Sequence, residues 1–169
     1  MLLALATAKR CSSLALLSVN PDFCQISESI VKLMPVGLEK HSREGYEASP
    51  ITLKAFTEDP RIDPVYYVKA YVKATKRLRN SDKLFVSTQA PHSDVNVATL
   101  SRWIAQVITQ SGQQGTGGSV RSTSASYAMA GGAGLETILG AGDWARARTF
   151  QKFYYKPVPL NFQESVIKI

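Results

Sequence analysis

The chain has 169 residues, 44% hydrophobic and 20% charged, with 20 Lys+Arg against 13 Asp+Glu. That is enough for one globular domain with a sizeable core, and too short for two comfortable ones. The composition argues against a membrane-spanning protein and a zinc protein: no apolar run approaches the ~20 residues a span needs, and Cys11 and Cys24 form no CxxC pair and have no metal-ligand spacing to His41 or His92.

Two free thiols in a reducing compartment are therefore expected. The net charge of +7 fits a polyanionic partner, and equally a basic soluble protein with none.

The opening "MLLALATAKRCSSLALLSV" looks like a signal peptide at first glance. No positive charge precedes its apolar run, however, and Lys9 and Arg10 cut that run at eight residues. A basic, Ser-containing start also fits a mitochondrial presequence. The leucines at 2, 3, 5, 14, 16 and 17 favour a mostly buried domain helix over residues 2–18.

"ISESIVKLMPV" and "SPITLKAF" read as short strands, separated by the polar turn "GLEKHSREGYEA" that carries Lys40, His41 and Arg43. "DPVYYVKAYVKATKRL" predicts a helix over 63–78, with Asp63 as N-cap, Pro64 in the first turn and an apolar stripe of Val65, Val68, Tyr71 and Val72. Its basic end, "KATKRLR", suits a solvated face or a DNA backbone. "KLFVST" reads as a short strand. "NVATLSRWIAQVITQSG" predicts an amphipathic helix over 96–112 with Leu100, Ile104 and Ile108 on one face; Trp103 reads as core and His92 as a structural or solvated loop residue.

"SGQQGTGGS" (111–119) reads as a flexible loop whose glycines let the backbone turn. The Ser/Ala-rich "SVRSTSASYAMAGG" predicts a helix whose small side chains allow close neighbours, so it is expected to be central. "GLETILGAG" and "ARARTFQKFYYK" predict two short helices, the last with Phe150 and Phe153 at helical spacing. "PVPLNFQESVIKI" reads as a tail. The chain is thus α+β, mostly α-helical, with a small antiparallel sheet, and it contains no internal repeat.

Five residues stand in an ordered set: Arg10 in "LLALATAKRCSSLALL", Lys40 in the strand turn, Arg121 in "GSVRSTSAS", Trp144 in "ILGAGDWARARTF", and Tyr154 ten residues later in "FQKFYYKPV". The order Arg–Lys–(His)xxArg–His/Trp–Tyr resembles the catalytic domain of the tyrosine recombinase (phage integrase) superfamily. The phrases "LFVSTQAPHSDVNVATLSRWI" and "GSVRSTSASYAMAGGAGLETILGAGDWARARTFQKFYYKPV" are most similar to recombinases of eukaryotic mobile elements, of retrotransposon type. No single motif is diagnostic; the ordered set carries the resemblance, over residues 2–158.

The resemblance implies site-specific breaking and rejoining of double-stranded DNA through a 3′-phosphotyrosyl intermediate, with no cofactor or metal, no membrane and no small-molecule substrate. It also implies a homo-oligomer on DNA and a nuclear location. Tyr154 would be the nucleophile, with Tyr155 the rival. Arg10 and Arg121 would clamp the phosphate, with Lys9 a neighbour that could be mistaken for Arg10. Lys40 would protonate the leaving 5′-oxygen, with Lys32 and Arg43 close in the chain. Trp144 would give its indole N–H to a phosphate oxygen. Arginine suits a clamp because its planar fork meets two phosphate oxygens at once.

Three departures stand out. Gly118 occupies the position where the family's HxxR box has histidine, and general acid–base help is worth roughly 10²–10⁴ in rate. Ser13 replaces an acidic residue that often follows the first arginine by three positions. Because the chain opens at that arginine's helix, the family's N-terminal core-binding domain is expected to be absent, leaving 1–158 as catalytic domain and 159–169 as tail. These departures keep open a second function, a non-catalytic DNA-binding remnant, and a third, a protein-interaction domain that binds no DNA.

Overall fold

The structure is a computed structural model and describes residues 1–37 and 50–158. Residues 2–18 form two short helices rather than one: α1 spans Leu2–Thr7 and α2 spans Cys11–Ala15. Ala8 takes a left-handed conformation (φ 51, ψ 18) and Arg10 an extended one, so the chain turns between them. The hydroxyl of Thr7 donates to the Leu3 carbonyl and accepts from the Lys9 amide, which stitches the break. The apolar pattern hides it because Leu3, Leu14 and Leu17 on either side enter the same core. Neither glycine nor proline marks the turn in the sequence.

Three strands form an antiparallel meander, β1 (Cys24–Ile26), β2 (Ile30–Leu33) and β3 (Ile51–Lys54), in that spatial order. "ISESIVKLMPV", expected as one strand, contains a hairpin turn instead. The Ser27 hydroxyl closes it, donating to the Ile30 carbonyl and accepting the Ile30 amide. Val31, Leu33, Ile51 and Leu53 face the core, while Lys32, Thr52 and Lys54 face solvent, the period of two expected of a half-buried sheet. The turn with Lys40, His41 and Arg43 lies outside the described residues.

Helix α3 (Pro64–Thr75) begins as anticipated: the Asp63 carboxylate accepts the Val65 amide at 2.8 Å, and Pro64 fills the first position. Its last turn does not end in a wholly solvated basic face. Arg79 folds back, its guanidinium donating to the carbonyls of Lys83 and Leu84 and to the Thr75 hydroxyl. "KLFVST" forms no strand; it is an extended segment held by the isolated bridges Ser18↔Lys83 and Val86↔Asp94. Leu84 and Val86 are buried, which produces the strand-like alternation, but neighbours cross the segment at single residues and no ladder develops.

Helix α4 (Val97–Gln110) is capped by Asn96, whose side chain accepts the Thr99 amide, and it buries Leu100, Ile104 and Ile108. The glycine-rich loop is shorter than expected. Thr116 and Ser119 form a reciprocal capping box, so Gly117 and Gly118 belong to the first turn of α5 (Gly117–Ala130). Gly117 is needed there: a Cβ would meet the Cys11 sulfur and the Ser101 hydroxyl, both at 2.8 Å. Helix α5 is central, packing on α1, α4 and α6 (Leu135–Gly142). The last helix, α7, spans Ala147–Phe153.

The apolar side chains form two cores. The larger lies between the sheet and α1–α4 and ends at Val120. The smaller gathers Ala8, Ala125, Ile138, Trp144 and Phe150, with Tyr154 at its edge. Phe150 is fully buried, but Phe153 is 67% exposed, so the two phenylalanines do not share a buried face.

Candidate active site

The smaller core is where the chain brings Arg121, Trp144 and Tyr154 together, while Arg10 is half-buried and near enough for its charge to act on Arg121. Arg121 sits in the second turn of α5 and is 3% exposed. Its guanidinium carbon is 4.1 Å from the Trp144 ring centroid and 5.0 Å from the Tyr154 ring centroid. The two aromatic rings meet edge to face with centroids 5.1 Å apart. A desolvated cation over two aromatic faces gains about 2 kcal/mol or more from the ring quadrupoles. One guanidinium nitrogen, Nη2, donates to the Gly142 carbonyl.

Local structure explains these placements. Helix α6 ends at Asp143, which is left-handed (φ 54, ψ 46) and turns the chain so that Trp144 folds back under the helix. Gly142 must be glycine, because a Cβ there would fall inside the Trp144 indole. Tyr154 is the residue that ends α7, and its half-buried ring leans on Trp144. The following backbone is tied to α5, where the buried Ser126 hydroxyl accepts the Lys156 amide at 2.9 Å. Tyr155 lies at 40% exposure and stacks obliquely on Phe150.

The site holds more donors than acceptors. Among the described residues, Arg121 Nε, Arg121 Nη1 and Trp144 Nε1 are buried without a hydrogen-bond partner. Each such donor costs about 1–3 kcal/mol, and more when charged. Burial lowers the Arg121 pKa to about 10, helped by the charge of Arg10 and opposed by Tyr154 and Asp143. Three unpartnered donors on two side chains in contact, with the charge of Arg10 acting on one of them, suit an anion that offers several acceptor oxygens.

Two adjacent side chains were not anticipated. Lys9 is 8% exposed and donates to both carboxylate oxygens of Asp143, at 2.5 and 2.6 Å. Arg10, next in the chain, is half-buried. The pair joins positions 134 residues apart, and no local pattern announces it. Gly118 is exposed on α5, three residues before Arg121; an added Cβ would make only an ordinary contact, with the Thr116 hydroxyl at 3.6 Å. Lys40 lies outside the described residues. His92 lies elsewhere, its Nδ1 2.9 Å from the Ser87 carbonyl, beside a groove with Tyr71 and the half-buried Trp103. Among the described residues no cluster of His, Cys, Asp or Glu could hold a metal ion, and no helix is long and apolar enough to cross a membrane.

The fold is that of tyrosine recombinase catalytic domains: mostly helical, with a three-stranded antiparallel sheet. The crystal structure of XerA recombinase superposes with a TM-score of 0.66 at 20% identity, over 98% of this chain and 52% of that one. XerH site-specific recombinase bound to its difH substrate, in a pre-cleavage complex, gives 0.64 at 18% identity, over 99% of this chain and 45% of that one. The Tn1549 transposon integrase in complex with transposon right end DNA gives 0.60 at 12% identity, over 98% and 55%. The chain therefore spans about half the length of these solved structures. No family model and no curated protein matches the sequence.

Proposed function

We propose that this chain is a strand-cleaving and rejoining domain of a site-specific DNA recombinase, of the kind carried by eukaryotic mobile elements. The observation that carries the reading is the set of unpartnered donors on Arg121 and Trp144, buried beside the ring of Tyr154. A DNA phosphodiester has the oxygens those donors lack. Its transition state gathers further negative charge, and removing one preorganised donor from such a site costs on the order of 10²–10³ in rate.

In this reading the Tyr154 hydroxyl attacks phosphorus, and the bond to the 5′-oxygen breaks. The products are a 3′-phosphotyrosyl link and a 5′-hydroxyl. The 5′-hydroxyl of an exchanged strand then attacks the link and releases the Tyr154 oxygen, which reseals the strand with the phosphodiester energy conserved. A phenol is a weak nucleophile at neutral pH, so in this reading it must be positioned and deprotonated by its surroundings. Arg10 and Arg121 hold the phosphate, Trp144 donates its indole N–H, and Lys40 gives the leaving oxygen its proton. Assembly as a homo-oligomer on double-stranded DNA, in the nucleus, belongs to the same reading.

One observation favours a second reading, a remnant that grips DNA without cutting it. Gly118 offers no imidazole where a proton-transfer group would stand, although a Cβ there would meet nothing closer than the Thr116 hydroxyl, at 3.6 Å. A trapping assay separates the two. Nicked duplexes from a pooled library are incubated with the parent chain, with Tyr154→Phe and with Gly118→His. An SDS-resistant adduct that Tyr154→Phe abolishes supports the recombinase. An adduct only from Gly118→His marks a site disabled by one residue. No adduct from any of them, together with DNA affinity that falls with salt by about 0.9 log units per phosphate contact for each log unit of salt, supports the remnant.

A further inference from the structure

The Lys9–Asp143 pair stands at two left-handed turns, Ala8 (φ 51) and Asp143 (φ 54). Each turn delivers a candidate phosphate-binding residue: Arg10 follows the first and Trp144 the second. Asp143 also follows Gly142, whose carbonyl accepts from Arg121. The Asp143 carboxylate therefore sits one residue from the arginine contact, and its charge acts on Arg121. An unpaired carboxylate at that place would compete with any phosphate for the Arg121 donors that lack partners.

We infer that Lys9 is a positioning residue that occupies Asp143 with a two-point ion pair, and so keeps the Arg121 guanidinium available to a phosphate anion. The inference rests on the phosphate-binding reading of the pocket. Lys9 touches no phosphate. Its ammonium is spent on the carboxylate, with Nζ near both Asp143 oxygens and only 8% exposed. A pair that served stability alone would be harmed alike by losing either partner. A guard is asymmetric, because only the loss of Lys9 releases a competing charge.

That asymmetry is the test. The full chain is titrated with inorganic phosphate while tryptophan fluorescence is followed, with Arg121→Met as the background for non-specific effects. Lys9→Met is expected to weaken phosphate binding by about tenfold or more, whereas Asp143→Asn leaves it unchanged or strengthens it. Lys9→Met/Asp143→Asn should return to within about threefold of the parent. Asp143→Asn weakening binding as much as Lys9→Met, or a double variant no better than Lys9→Met, would overturn the guard role. If Lys9→Met does not fold, Asp143→Asn and the double variant still decide: loss of binding in either overturns the inference. A parent that binds phosphate no better than Arg121→Met overturns the phosphate-pocket reading itself, and the inference with it.

Discussion

The guanidinium of Arg121 lies against the Trp144 indole, 4.1 Å from its centroid, with both side chains buried and three of their N–H donors unpartnered. The contact joins α5 to the chain leaving α6, and Tyr154 closes it from the third side. A buried cation short of acceptors destabilises the fold and waits for an anion. Stability and binding therefore pull in opposite directions at this residue.

Arg121→Met should leave the folded chain as stable as the parent or stabilise it, by up to about 1–4 kcal/mol, while abolishing phosphate binding and any DNA adduct. Calorimetry and the trapping assay check the two halves. A large loss of stability would mean that the Gly142 and ring contacts outweigh the desolvation.

The pH dependence has a definite sign. Burial lowers the Arg121 pKa to about 10 in the folded chain, below its ordinary value, so above that pH the unfolded state binds the extra proton. Its cost to stability is fully present at neutral pH and is relieved as pH rises past about 10. The stability advantage of Arg121→Met over the parent should therefore shrink across that range in paired urea denaturations.

Gly142 and Gly140 share α6 and should respond with opposite signs. Gly142→Ala drives a methyl into the Trp144 indole and should cost about 1–3 kcal/mol, with a changed near-UV circular dichroism spectrum as the ring moves. Gly140→Ala meets nothing within 4 Å and should stabilise by roughly 0.5–1 kcal/mol through the helix preference of alanine. Thermal denaturation of both variants checks the contrast.

Ser126→Ala removes the acceptor of the Lys156 amide and should cost about 0.5–1.5 kcal/mol. Its sharper signature is local. Hydrogen exchange at the Lys156 amide should accelerate while the amides of α4 keep their protection. Where adduct formation is detectable, it should slow, because the segment that carries Tyr154 loses its tie to α5.

Gly118→His should fold as the parent does, since an added Cβ has only ordinary contact with the Thr116 hydroxyl. If catalysis is limited by the missing proton-transfer group, adduct yield should rise by about 10²-fold or more. Equal melting temperatures with an unchanged adduct level would point to a different limit.

Much of the fold was legible because it rests on local chemistry. Asp63 and Asn96 cap helices through their own side chains, and the stripe Leu100, Ile104, Ile108 repeats at helical spacing. The elements that misled were those whose pattern has another cause. Residues 2–18 look like one helix because both halves feed one core across a turn made by Ala8, not by a glycine. "KLFVST" alternates because Leu84 and Val86 are buried one neighbour at a time, without a ladder. Phe153 keeps the spacing of Phe150 but turns to solvent, since α7 ends there.

The sequence by itself determined the helical elements, the small alternating sheet, and the order in which Arg10, Arg121, Trp144 and Tyr154 appear. Cap chemistry and apolar periodicity act over a few residues, so they can be read there. Only the tertiary structure decided that Gly142 must lack a side chain, that Lys9 is consumed by Asp143 while Arg10 is half-buried beside it, and that Arg121 and Trp144 keep donors without partners. Those are contacts between segments up to 134 residues apart, and they form only when the smaller core closes and removes the water that would otherwise satisfy every one of those groups.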